Sequence, residues 1–168
     1  SLVRAFDIVA ADDPDVRLVI AGPNGWGAES FDAAVDAAHH RDRIVHLGWI
    51  PDDRRAALLR GASVFAFPSI YEGFGLPPLE AMSAGTPVVT TRAGALPDTV
   101  GDAALLVEVG DIDALAKALH AVLTDDTLAA DLVRRGAERV THFSWDGAIE
   151  ALVRLYRQAA PHNRSKID

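Results

Sequence analysis

Pro68-Ser69-Ile70-Tyr71-Glu72-Gly73-Phe74-Gly75-Leu76-Pro77-Pro78-Leu79-Glu80-Ala81-Met82 follows directly on the apolar run Val64 to Phe67. A strand-length run, a loop with two glycines and a proline pair heading a helical stretch read as strand, glycine turn, helix. Gly73 and Gly75 allow backbone angles and close approaches that a side chain would block. The loop amides and the positive end of the helix can face an anion, although the prolines remove two donors and leave Phe74, Gly75, Leu76 and Leu79. Glu72 and Glu80 bracket the loop, and carboxylates are strong acceptors for sugar hydroxyls. The same two residues also suit plain roles, Glu80 as a first-turn acid favoured by the helix dipole and Glu72 as a solvated loop acid. Residue chemistry alone leaves both alternatives open.

Outward from this segment, short β-branched or apolar runs recur at 16–21, 44–47, 64–67, 87–91 and 104–107, each beside a Gly or Pro. Helical patterns separate them at 2–10, 31–38, 52–60 and from about Pro77. Near-continuous apolar strands alternating with helices predict a parallel sheet covered on both faces, the doubly wound α/β architecture, with function at the carboxyl ends of the strands. Beyond Val109 only helices are expected, at 112–123, 127–140 and 145–156. In the last, Trp145, Ile149, Leu152, Val153 and Tyr156 share one face after an N-cap at Ser144, so that face is expected to pack on the domain. The domain is expected to span 1–160. Residues 161–168 lack periodicity and are read as a disordered or artificially appended tail.

With 168 residues and 49% hydrophobic content, the chain suits one domain with a substantial core. A formal charge of −8 disfavours nonspecific attraction to nucleic acid or to an anionic membrane, leaving a small molecule as the expected partner. The absence of cysteine excludes disulfides and thiolate metal sites, and a cytoplasmic location is the default expectation. No apolar run approaches the roughly 18 residues a transmembrane helix needs, and Ser1 to Phe6 is too short and polar for a signal peptide.

The long segment resembles the group 1 family of retaining GT-B glycosyltransferases, whose signature is two glutamates with seven residues between them around a Gly-Phe-Gly-like loop; Glu72 and Glu80 have that spacing. The resemblance continues through Ala81 to Val89, Gly94 to Pro97 and Gly101 to Val107, and upstream through Ala21 to Gly27 and His46 to Pro51. It implies a Rossmann-like GT-B C-terminal domain that binds a nucleoside diphosphate sugar and transfers the sugar with retention. Under it Glu72 is the catalytic-site carboxylate contacting the donor sugar, and Glu80 meets the nucleotide ribose. Phe74, Gly75 and Leu76 offer amides to sugar and diphosphate, and Gly94 and Leu96 add loop amides. No metal or other cofactor is implied, and overall likeness to mannosyltransferases makes GDP-mannose the expected donor, with a glycan or lipid-linked acceptor.

Two departures accompany the resemblance. The family supplies an Arg and a Lys from the first strand and turn of this domain, whereas the only lysines here are Lys117 and Lys166, both outside the candidate loops. Arg92 is the nearest substitute in sequence, with an ordinary solvated arginine the favoured alternative. The chain also starts at a helix, so the first strand, which lies centrally in such a sheet, and the N-terminal acceptor domain are expected from elsewhere. An upstream segment, a partner chain or an exchanged strand is expected to fill the sheet, or the sheet to close in altered order. A noncatalytic nucleotide-sugar-binding or assembly module is the alternative function.

Other signals carry less. Asp111-Ile112-Asp113 has an Asp-x-Asp form but reads as an N-cap with a first-turn acid. The glycines of 22–27 do not match a dinucleotide fingerprint. The six histidines show no zinc spacing and are assigned surface or packing roles.

Overall fold

The computed structural model describes residues 1–23 and 28–159. The expected tail and the centre of the 22–27 loop, with its Trp26, lie outside the described residues. In chain order the elements are α1 (Leu2–Asp12), β1 (Leu18–Ile20), α2 (Ala28–Asp36), a 3-10 turn (Arg41–Arg43), β2 (Ile44–His46), α3 (Asp52–Gly61), β3 (Phe65–Phe67) and α4 (Leu76–Ser83). They continue with β4 (Val88–Thr91), α5 (Leu96–Val100), β5 (Ala104–Val107), α6 (Ile112–Thr124), α7 (Asp126–Val140) and α8 (Trp145–Ala159).

All strand pairs are parallel, as the alternation of strand and helix requires. In the three-stranded part, Phe65 lies opposite Val88 and Val88 opposite Ala104. All four residues of β4 are buried, so its Val-Val-Thr-Thr sequence is a central strand apolar toward both faces. Its neighbours Val88 and Val89 point to opposite faces and join different clusters. Val89 packs with Ala5 and Val9 of α1, Leu115 and Leu119 of α6 and Leu132 of α7. Val88 packs with Leu79 and Met82 of α4, Val100 of α5 and Ala103. Each large aliphatic side chain fully removed from water contributes about 1.5–3 kcal/mol, so these two layers hold the sheet in place.

Local signals set the helix ends. Asp111 and Asp125 cap α6 and α7, accepting from the Ala114 and Leu128 amides at 2.8 and 3.0 Å. Gly136 lets α7 approach α4 closely, since an added Cβ would stand 3.1 Å from Met82 Cγ.

The sheet is in two pieces, β2-β1 and β3-β4-β5. Val16, leading into β1, and Val64 and Ala66 beside and within β3 all pack against the cluster containing α1, so α1 lies across the break. Phe65 donates its amide to Pro87 toward β4 at 2.8 Å, and Ile20 accepts from the Leu47 amide on the β2 side at 2.9 Å. Because successive strand residues turn their polar groups to opposite sides, the main chains of Ala66 and Val19 face away from those partners. Within these residues the sheet keeps the order of a doubly wound sheet that lacks its central strand, as the sequence reading expects.

A correction concerns α8. Its Ser144 N-cap forms, with the Gly147 amide 3.0 Å from Ser144 Oγ, but no residue of the helix is buried. Trp145 remains 80% exposed and Tyr156 68%, so the apolar face is not buried against the described part of the domain.

Candidate functional site

The glycine loop leaves β3 and is tied to β4 and α5 by its carbonyl groups. The buried Thr90 and Thr91 hydroxyls donate to the carbonyls of Phe67, at 2.7 Å, and Ser69, and the buried Thr99 hydroxyl of α5 donates to that of Phe74. The Ala95 amide donates to the Glu72 carbonyl at 2.9 Å. With four carbonyls drawn inward, the amides of Tyr71, Glu72, Gly73, Phe74 and Gly75 find no acceptor among the described residues. Amides left without an internal acceptor suit a loop that meets an oxyanion or a sugar oxygen.

Two glycines make this geometry possible. Gly94 has φ +55°, and a Cβ on it would stand 2.3 Å from the Glu72 carbonyl oxygen, so a side chain there would displace Glu72 itself. Gly75, φ +99°, precedes α4 and lies directly over Leu96, whose Cδ2 an added Cβ would meet at 2.7 Å.

The expected site residues fall into three groups. Glu72, Phe74, Gly75 and Leu76 come together in the loop. Glu72 is half-buried, with Oε1 2.9 Å from Ser69 Oγ, while Phe74 and Leu76 are exposed. The Phe74 ring packs edge-on against Phe143 at 5.7 Å, and Arg139 stands 5.1 Å over Phe143, so Phe74 is held by its side chain as well as by its carbonyl. Glu80, one helix turn further, keeps its carboxylate partly exposed, 3.3 Å from the Arg55 guanidinium of α3. Gly94 and Leu96 form the floor. The Leu96 amide donates to Ala93 at 3.1 Å and its side chain is fully buried, so this residue supports the loop instead of presenting a donor, a correction to the expected ligand-facing amide.

The structure also decides between readings of the other candidates. Arg92 pairs with Glu108 at 3.5 Å on the surface, the ordinary solvated role. Asp111 caps α6, and among the described residues no three His, Asp or Glu side chains are grouped to hold a metal ion. Arg55 was missed in sequence; its signal is the Asp52-x-x-Arg55 start of a helix directly after the His46 to Pro51 stretch. Also missed was a contact remote from the loop. Asp7 of α1 accepts from the amides of His39 and His40 at 3.0 and 2.9 Å and lies 3.0 and 2.8 Å from their Nδ1 atoms. Burial pushes the Asp7 carboxyl upward, but these bonds together hold it well below the usual carboxylate range.

A parallel α/β sheet with a glycine loop and two acids beyond the carboxyl end of a strand is the doubly wound class of domain, whose sites lie at that edge. Within that class the chain belongs to the group 1 glycosyltransferases: residues 1–139 match the family described as "Glycosyl transferases group 1". It is 36% identical over 140 residues to the O-antigen chain mannosyltransferase B of Escherichia coli, covering 83% of this chain and 37% of that protein. It superimposes with TM-score 0.80 and 32% identity on a sucrose-phosphate synthase from Thermosynechococcus elongatus, covering 93% of this chain and 41% of that one. With the C-terminal domain of a group 1 glycosyl transferase from Francisella tularensis, the TM-score is 0.75 at 25% identity, covering 84% of this chain and 76% of that one. The chain thus spans under half the length of the curated relative. Among the described residues no helix is long and apolar enough to cross a membrane.

Proposed function

We propose that this chain is the donor-binding domain of a retaining glycosyltransferase that transfers a sugar from a nucleoside diphosphate sugar to a glycan or lipid-linked acceptor. The observation that carries this reading is the loop 69–75: the carbonyls of Ser69, Glu72 and Phe74 are tied to β4 and the α5 region, the amides of Tyr71 to Gly75 have no acceptor among the described residues, and the half-buried Glu72 carboxylate lies beside Ser69, with Glu80 further along α4. Amides of this loop meet the diphosphate and stabilise the charge that grows on it as the glycosidic bond breaks. Glu72 accepts hydrogen bonds from the donor sugar hydroxyls. Glu80 accepts from the ribose diol, with Arg55 beside it. No protein nucleophile enters: the acceptor hydroxyl attacks from the face the leaving phosphate occupies, and that phosphate takes its proton. The donor is GDP-mannose in this reading, supported by the mannosyltransferase relative, and no metal ion or other cofactor takes part. The protein works in the cytoplasm.

The acceptor site, the cations that neutralise the diphosphate and the strand that completes the sheet come, in this proposal, from polypeptide outside these 168 residues. Transfer activity is accordingly assigned to the whole protein and donor binding to this domain.

Calorimetric titration with GDP, UDP, GDP-mannose and UDP-glucose, with and without magnesium, tests the reading. The expected result is binding of GDP and GDP-mannose that magnesium leaves unchanged. Glu72→Gln is expected to weaken GDP-mannose while sparing GDP, and Glu80→Ala to weaken both by about tenfold, the loss of a charged hydrogen bond. Selective binding of the uridine pair would replace the donor, and equal losses for both ligands in both variants would overturn the two roles.

A further inference from the structure

Glu72 is the half-buried carboxylate of the loop, and its surroundings fix it at several points. Its carbonyl accepts the Ala95 amide at 2.9 Å, and its main chain rests on Gly94, where not even a methyl group fits. Its Oε1 lies 2.9 Å from the hydroxyl of Ser69, three residues back, and Oε2 has no partner among the described residues. Ser69 is itself anchored. Its amide donates to Phe67 at 2.9 Å, and its carbonyl accepts the hydroxyl of Thr91, a side chain 2% exposed in the central strand. The Ser69 hydroxyl also lies 3.1 Å from the Tyr71 carbonyl, so its single proton has two acceptors within reach, and the ionised carboxylate is the stronger.

We propose that Ser69 is a positioning residue for Glu72: its hydroxyl holds one carboxylate oxygen so that the other is presented, in a fixed direction, to the hydroxyls of the donor sugar. This rests on the donor-binding reading above. A free glutamate side chain loses rotamer freedom when a ligand immobilises it, and a carboxylate already held at one oxygen loses less. Thr90 and Thr91 therefore act at a distance from the sugar. The buried threonines fix the loop main chain, the main chain fixes Ser69, and Ser69 orients Glu72. Ser69 and Thr91 touch no ligand in this account, which separates them from Glu72.

Titration of wild type, Ser69→Ala, Ser69→Thr, Glu72→Gln and the Ser69→Ala/Glu72→Gln double variant with GDP-mannose and GDP decides the matter. Ser69→Ala is expected to weaken the nucleotide sugar about tenfold, the loss of one hydrogen bond to a charged group, and to leave GDP within about twofold. Ser69→Thr, which keeps the hydroxyl, is expected to stay within about threefold for both. In the Glu72→Gln background, Ser69→Ala is expected to add nothing further, because the two act as one unit. Equal loss of GDP and GDP-mannose, no loss of either, or full additivity would overturn the proposal. If the wild-type chain bound none of the nucleotides, the donor-binding reading would fall. The positioning role would then be decided by crystal structures of wild type and Ser69→Ala without ligand. A Glu72 carboxylate in one conformer in the first and spread over several in the second sustains it, and the same single conformer in both refutes it.

Discussion

Gly94→Ala places a methyl group where the structure has least room for one. The left-handed backbone at this position, φ +55°, costs a non-glycine residue about 1–2 kcal/mol. The new Cβ would stand 2.3 Å from the Glu72 carbonyl oxygen and 3.0 Å from the Glu72 nitrogen, both main-chain atoms that cannot rotate aside. Forcing such a contact apart costs about 1–3 kcal/mol and strains the Ala95 to Glu72 hydrogen bond. Together these give about 3 kcal/mol, which in a domain of this size lowers the melting temperature by about 6–12 °C. Gly85→Ala is the internal control, because Gly85 has a similar backbone, φ +79°, and open space around its Cβ position. Only the conformational cost applies there, about 1 kcal/mol or about 2–4 °C. Differential scanning fluorimetry on both variants measures the difference, and titration with a nucleotide sugar reports whether Glu72 has moved. Equal melting temperatures for the two variants would refute the claim that Gly94 is selected by contact with Glu72.

The remaining predictions concern charge and capping. Asp7 is ionised more readily in the folded chain than its ordinary value of 3.8. The sign follows: its contribution is fully present above that value and is lost as pH falls through the depressed folded value, so wild type is expected to lose stability on acidification below about pH 4, and Asp7→Asn to flatten that loss while being less stable at pH 7. Denaturant titrations at pH 3, 4 and 7 check this, and an unchanged acid slope in Asp7→Asn would contradict it. Asp111→Ala is expected to cost about 1 kcal/mol through the lost cap of α6 and to leave nucleotide-sugar binding, with or without magnesium, unchanged. A magnesium-dependent change in binding would restore a metal role for Asp111.

Much of this architecture is legible in the sequence because each element announces itself by a local rule. The run Pro87 to Thr91 is apolar on both faces and becomes the buried β4, and Asp111 sits where an N-cap belongs. The loop at 68–75 is legible by its glycines and acids, but the reason it holds its shape is not. That reason lies in hydroxyls of Thr90, Thr91 and Thr99, residues that in sequence look like ordinary β-branched strand and helix members, and in contacts spanning 22 to 25 positions. Asp7 and the histidines at 39 and 40 are invisible for the same reason: nothing local marks one carboxylate that serves two imidazoles more than 30 residues away. Leu96 was misjudged because a glycine-rich turn looks like a source of free amides, whereas here the turn closes into a short helix whose first amide is already used. The apolar stripe of α8 correctly marked a helix with one greasy face but not what that face meets.

The unsatisfied surfaces and the candidate site fall on different parts of the molecule. The outward edge of β1, the exposed face carrying Val19 and Val45, and the bare stripe of α8 are where apolar or polar surface lacks a partner. The groups that tie the loop main chain belong instead to the three-stranded part: Ser69 leaves β3, Thr90 and Thr91 are in β4, and Gly94, Ala95 and Thr99 lie in or beside α5. That part is also where the central strand is buried on both faces and where α4, α5, α6 and α7 pack most fully. Filling the break beside β3 would add hydrogen bonds to the Ala66 side of that strand, while the loop's ties to β4 and α5 lie on the opposite side. The cradle for Glu72 is therefore built by contacts that do not pass through the break, and a strand entering there would steady β1 and β2 far more than it would reshape the loop.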